Sequence, residues 1–319
     1  MGKYNLLTNY EKLYMFCDNY LTLPFLKFSD EIWNEREKNR KNYSLLNEMY
    51  FNNTKSTSDI DYKKAESFNN YDLPYKIKRK IKKILTNPNN CPEELFEDVQ
   101  KLYQYMDNQY LLTLAENLPS LTIENLPKME NITTLQDYSV GYYQTNKNKI
   151  YLREGCPKST QQHELLHAAR ALKVNKKMFL GFARTHKLGF ALNGFDEGYT
   201  DLLTARIYEH ESINEISYLT AAQTTALIEL LFDDYKDMEK ASFINCIDLV
   251  YLQFRKYGTK KEFYRICRYL DFSTEAYLNK YERKQLFNLI YDIVKRKEEL
   301  NPIEYERILD NDKTFFKKI

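Results

Sequence analysis

Two histidines four residues apart, His163 and His167, with Glu164 beside the first, carry the chain's clearest chemical signal. On an α-helix four residues make about one turn, so both imidazoles project from one face, where a single metal ion could bridge them. With His163 as origin, His167 lies about 40° round and Glu164 about 100° round; Leu165, Ala169 and Leu172 fall about 180–240° away. The pattern predicts a helix with a core side, a metal side, and a carboxylate at the margin of the metal side. Neutral imidazoles suit Zn²⁺, water can take an open position on the ion, and an adjacent glutamate can remove a proton from that water. The chain has only four histidines, so a wet helix holding two of them at this spacing by accident is the weaker account. Ser159 with Gln162 makes a candidate capping box, and Pro157 stands just upstream.

A third ligand should come from a second helix facing the first. The best source is Asn193-Gly194-Phe195-Asp196-Glu197-Gly198-Tyr199-Thr200-Asp201, thirty positions past His167. Glu197 and Asp201 share a helix face, so Glu197 can ligate the metal while Asp201 accepts the spare N–H of a ligating histidine and fixes its tautomer. Gly194 and Gly198 would let backbone come close to the site. Asp196 is a rival ligand, without a carboxylate one turn later. Taken alone, a Glu-x-x-x-Asp pair is an ordinary solvated face; coupled to the histidine motif it becomes specific.

The order His163-Glu164-x-x-His167, then Glu197-x-x-x-Asp201, resembles the gluzincin branch of the zincin metallopeptidases. The longer pattern, HELLH followed by DEGYTDLLTARIY and a helix at Tyr218, also resembles poorly characterised bacterial proteins with metallopeptidase domains. The resemblance covers roughly residues 137–272 and implies zinc ligands His163, His167 and Glu197, general base Glu164, and Asp201 as the outer partner of a ligand. It implies one Zn²⁺, a peptide or protein substrate, and a small twisted sheet whose edge strand holds extended peptide by main-chain pairing. No third histidine follows six residues after His167, which removes the metzincin branch.

Bulk properties narrow the field. Lys and Arg total 47 against 45 for Asp and Glu, so no strong field for a polyanion is implied and no nucleic-acid partner is expected. Five scattered cysteines (Cys17, Cys91, Cys156, Cys246, Cys267) suit neither a disulfide framework nor a cysteine zinc site, and point to a reducing compartment. The start of the chain carries no secretory signal, and no run approaches the ~18 apolar residues of a membrane span. A cytoplasmic protein without membrane contact is the expectation.

Residues 1–135 read as helical with loops, Asn52–Asn70 being a polar linker. Tyr75–Leu85 is a basic amphipathic helix with Ile77, Ile81 and Ile84 inward; it could touch an anionic surface, but a core-packed helix with a wet lysine face is the simpler reading. Residues 92–117, opened by Pro92, carry a core stripe from Leu95 to Met106. Tyr138–Thr145 and Lys149–Leu152 flank Asn146-Lys147-Asn148 and predict a hairpin, the candidate substrate shelf under the resemblance. Cys156 could cap a zinc ion or be an inert loop thiol. Lys173–Asn193 reads as a loop bordering a cleft. An oxyanion donor could be His186, His210, Tyr199, Tyr208 or Tyr218, with Tyr218 preferred because it stands apart from the ligand helices. Residues 218–319 read as helical. Phe243 to Tyr257 form a stripe ended by Gly258, Thr259 and Glu262 a capping box, and Leu286 to Val294 a further stripe.

The expected architecture is therefore α+β and predominantly helical, in three parts. Residues 1–135 form a helical region, 136–217 a zincin-like metal-binding core, and 218–319 a helical lobe across the cleft. The expected function is zinc-dependent hydrolysis of a peptide bond. The alternative is a zinc-stabilised regulatory or protein-binding protein with a vestigial protease site.

Overall fold

The computed structural model describes residues 62–127, 140–174, 177–186, 189–210, 217–275, 278 and 280–300. Cys17, Tyr138 and residues 52–61 of the expected linker lie outside them. Helices α1 (Tyr62–Glu66), α2 (Tyr75–Leu85), α3 (Phe96–Tyr105) and α4 (Leu112–Asn117) lead into strands β1 (Thr122–Leu126), β2 (Gly141–Gln144) and β3 (Lys149–Arg153). Helix α5 (Lys158–Arg170) carries both motif histidines. Four short strands follow: β4 (Ala171–Val174), β5 (Lys177–Leu180), β6 (Ala183–His186) and β7 (Gly189–Ala191). Helix α6 (Asn193–Ile207) carries Glu197 and Asp201. Helices α7 (Leu219–Glu229), α8 (Tyr235–Phe243), α9 (Ile247–Arg255), α10 (Lys260–Glu275) and α11 (Lys280–Leu300) complete the described chain. The protein is α+β and mostly helical, and no described helix is long and apolar enough to cross a membrane.

The first sheet has the order β1-β3-β2. Strands β2 and β3 are the predicted hairpin, paired from Gly141↔Leu152 to Gln144↔Lys149, and Asn148 takes the left-handed turn conformation at φ 49. Strand β1 runs parallel to β3, which leaves β2 on the outside. Strand β3 buries Ile150, Tyr151 and Leu152 in succession, so both of its faces are covered. Gly141 lets β2 approach α5, since a Cβ there would stand 2.6 Å from Thr160 Cγ2.

Several expectations change. Lys173–Asn193 is no loop but the antiparallel meander β4-β5-β6-β7, with Gly181 at φ +55 in its β5–β6 turn. Its strands are three or four residues long, too short for alternation to show in sequence. The Ser159–Gln162 capping box does not form. The helix starts at Lys158 behind Pro157, Ser159 is buried, and the Gln162 amide donates to Asp98 Oδ1 at 2.9 Å. The Phe243–Tyr257 stripe is broken by Asn245 (φ 57) into the end of α8 and all of α9. Residues 62–70 are not linker, because Ala65 and Phe68 are buried and anchor that turn. On α2, Ile81 and Leu85 are buried, whereas Ile77 faces outward beside the lysines. The Thr259–Glu262 box does form: Thr259 N–H donates to Glu262 Oε2 at 2.7 Å and Glu262 N–H to Thr259 Oγ1 at 3.2 Å.

The core collects Leu85, Leu102, Leu114, Ile150, Leu165, Phe195, Leu227, Phe254 and Ile290 into one cluster. Helix α6 runs through it. The two glycines beside Glu197 serve helix crossings, not access of backbone to the site. A Cβ on Gly194 would lie 2.1 Å from the carbonyl carbon of Leu270, and one on Gly198 2.3 Å from that of Ala221. Because both obstacles are backbone, Gly194→Ala or Gly198→Ala should each lower stability by at least ~1–3 kcal/mol. Denaturant titration should read this as a lower midpoint.

Candidate metal centre

Helix α5 presents its imidazoles to α6 because its opposite side, Leu165, Ala168 and Ala169, is locked in the core. The rings of His163 and His167 meet edge-on, centroids 4.7 Å apart, with their Nε2 atoms 2.9 Å from each other. Glu197 Oε2 comes from α6 to 3.1 Å of both Nε2 atoms. The three residues form the one group of His, Cys, Asp and Glu side chains among the described residues whose donor atoms converge on a point.

Outer contacts fix which ring nitrogen carries the proton. His163 Nδ1 lies 2.7 Å from Asp201 Oδ1, and Asp201 Oδ2 accepts the Tyr218 backbone N–H at 2.5 Å. His167 Nδ1 faces Asp196 Oδ2 at 3.4 Å. A carboxylate behind each Nδ1 favours Nδ1–H, leaving both Nε2 lone pairs aimed at Glu197. Two lone pairs and a carboxylate oxygen repel one another unless a cation or protons lie between them. Tetrahedral zinc with bonds of ~2.0–2.1 Å places its ligands about 3.3 Å apart. The observed 2.9–3.1 Å is within a few tenths of that spacing. The donor set fits one divalent cation.

The same crowding shifts the titrations. Burial opposes charging of His163, but Asp201 and Glu197 outweigh it and hold its pKa well above the usual imidazole range. Burial likewise opposes His167, yet Glu197 and Asp196 push it up to about 9. Glu197, despite its own burial, is held well below the usual carboxylate range by the two imidazoles. Glu164 goes the other way. Burial raises its pKa, only partly offset by His163, His167 and the nearby backbone N–H of Tyr143. The direction of that N–H follows from the ladder. Arg153 N–H bonds Val140 O, so narrow and wide pairs alternate to leave Tyr143 pointing away from β3, at the outer edge of β2.

The remaining candidates separate. The Tyr218 ring stands beside His163, centroids 6.0 Å apart, and is half-buried. The Tyr199 hydroxyl donates to Glu229 Oε1 at 2.8 Å inside a buried network with Arg206 and Glu239. Tyr208 donates to Asp98 O at 3.3 Å, and His210 Nε2 to Gln162 Oε1 at 2.7 Å. Those three are committed to packing. His186 ends β6, and its side chain lies outside what is described. Cys156 sits in the turn before α5, where burial raises its thiol pKa, the reverse of what a thiolate ligand requires.

Asp196, weighed from sequence as a rival ligand, instead backs His167, and Arg170 joins it there. Arg170 follows His163 by seven residues, so it continues the imidazole face for one more turn. That spacing was the available signal. Compared with known proteins, the chain matches no family model, no curated protein and no solved structure.

Proposed function

We propose that this protein is a zinc-dependent metallopeptidase of gluzincin-like design, hydrolysing a peptide bond in a peptide or protein substrate. One observation carries the reading: two imidazole Nε2 atoms and the Glu197 carboxylate converge within 3.1 Å of one another, each imidazole backed by its own carboxylate. His163, His167 and Glu197 would hold the ion. Zinc bound there supplies Lewis acidity, lowering the pKa of water and polarising the substrate carbonyl.

The chain's own residues do the rest. Glu164 accepts a proton from the attacking water and returns it to the leaving amine nitrogen; its raised pKa suits both transfers. The Tyr143 N–H faces that carboxylate, and the β2–β3 hairpin is the candidate shelf for extended substrate backbone. Tyr218, beside His163, is the candidate donor to the oxyanion. The zincin-like arrangement of sheet, metal helix and second ligand helix belongs to this proposal, as does a cytoplasmic setting, which the scattered cysteines favour.

The depth of the site favours a second reading, a zinc-stabilised binding or regulatory protein. His163, His167 and Glu164 are each no more than 7% exposed. Elemental analysis and peptide-library profiling separate the two. Purified protein should carry about one zinc per chain, and His163→Ala or Glu197→Ala should remove most of it. Cleavage of library peptides supports the peptidase; zinc without cleavage supports the binding protein; absence of zinc defeats both.

A further inference from the structure

Behind His167 lies a buried charged assembly that the proposed chemistry does not use. Arg170 is wholly buried, at 0% exposure, and its guanidinium spends its donors within one small volume. Nε donates to Leu166 O at 3.0 Å, Nη1 to Asp196 Oδ1 at 3.1 Å and to Ser242 Oγ at 2.6 Å, and Nη2 to Thr200 Oγ1. Asp196 Oδ1 also accepts the Phe182 N–H at 2.8 Å. The β5–β6 turn closes over this pair, and a Cβ on Gly181 would meet Asp196 Oδ1 at 2.1 Å and Arg170 Nη1 at 2.5 Å. One oxygen of Asp196 is thus held by two donors. The other, Oδ2, has no hydrogen-bond partner among the described residues, nor has His167 Nδ1, and these two buried atoms face each other at 3.4 Å.

We infer that Arg170 and Asp196 are positioning residues for the metal centre: Arg170 turns the Asp196 carboxylate so that its spare oxygen holds the proton of His167 on Nδ1, leaving Nε2 bare for the ion. This rests on the metal reading above. A buried guanidinium serving only to tie α5 to α6 and α8 would not need a carboxylate whose second oxygen is aimed at a ligand's ring nitrogen. The asymmetry of Asp196 supplies a sharp test. In Asp196→Asn the carbonyl oxygen must take the position facing Arg170 and Phe182 N–H, because both are donors. The amide NH₂ then faces His167 Nδ1, a donor against a donor. The imidazole can relieve that conflict by moving its proton to Nε2, the atom that should meet the metal.

Zinc affinity, measured by chelator competition on the full chain, should fall roughly 10- to 100-fold in Asp196→Asn. The visible spectrum of the Co²⁺-substituted protein should change with it. Unfolding of the metal-free variant and its far-ultraviolet circular dichroism should show the fold retained. The ¹⁵N shifts of His167, followed in metal-free protein to a pH at which the ring is neutral, should move from the Nδ1–H to the Nε2–H tautomer, a readout that loss of packing alone does not produce. Arg170→Lys, which cannot reproduce the guanidinium fork, should weaken zinc binding in the same sense. The double variant should bind no more weakly than Asp196→Asn, because both changes act through one contact. Ser242→Ala, which removes an Arg170 bond distant from the imidazole, should stay within about twofold of wild type. Wild-type affinity in Asp196→Asn, or additive losses in the double variant, overturns the inference while the metal reading stands. If the wild type itself binds no zinc, the metal reading fails first. Should the Arg170 variant not fold, the Asp196→Asn affinity and tautomer decide alone.

Discussion

Glu164→Gln is expected to keep its zinc and lose about 10²–10⁴-fold in turnover. The amide is nearly isosteric with the carboxyl and leaves an oxygen to face the Tyr143 N–H, so the local fold has little reason to change. What it cannot do is take a proton. Because Glu164 is not one of the converging donor atoms, metal content should remain about one per chain. The loss should fall on kcat and on kcat/KM alike, the signature of an interaction needed only in the transition state. Stability gives an independent check. Burial raises the Glu164 pKa in the folded protein, so ionising it costs the fold some stability at any pH above the unfolded value of ~4.5. Removing that charge should leave the melting temperature at pH 7 unchanged or higher. A library peptide cleaved by Glu164→Gln at the wild-type rate would show that Glu164 is not the base.

The parts of the site legible in sequence were those set by helical period. Spacings of four put His163 with His167 and Glu197 with Asp201, and the structure places all four in one cluster. The β2–β3 hairpin was legible because aromatic and β-branched runs flank an Asn-Lys-Asn turn. What could not be read depends on contacts distant along the chain. Asp196 turns toward His167 only because Arg170 and the Phe182 N–H occupy its other oxygen, and Phe182 belongs to a meander whose strands are too short to announce themselves. Gly194 and Gly198 do mark close backbone approach, but the backbones are those of α10 and α7 and not of the site. The capping box at Ser159 failed by competition: Asp98, from α3, takes the Gln162 amide that the box required. Local spacing named the side chains that converge; tertiary contacts chose how they are held.

Zinc affinity should rise steeply with pH, because metal and protons compete for the same atoms. In the metal-free protein burial works against charged imidazoles, but the surrounding carboxylates prevail, so His167 titrates at about 9 and His163 well above its usual range. Both pKa values lie above the unfolded value of ~6.5. The stability these protons contribute is full below ~6.5 and is lost as pH rises through about 9. Glu197, held low, contributes above ~4.5 and ceases to as pH falls through its depressed value. Zinc needs neutral imidazoles, so below pH 9 each ion must displace one or two protons. Each displaced proton makes apparent affinity about tenfold tighter per pH unit, or about 10²–10⁴-fold between pH 6 and 8. Calorimetry in buffers of differing ionisation enthalpy should count between one and two protons released per zinc. Thermal unfolding should show the metal-free protein weakening over the same interval in which the zinc-induced gain in melting temperature grows. An affinity that stays level from pH 6 to 8 would mean that no imidazole proton is displaced, and that the ion, if held at all, is held elsewhere.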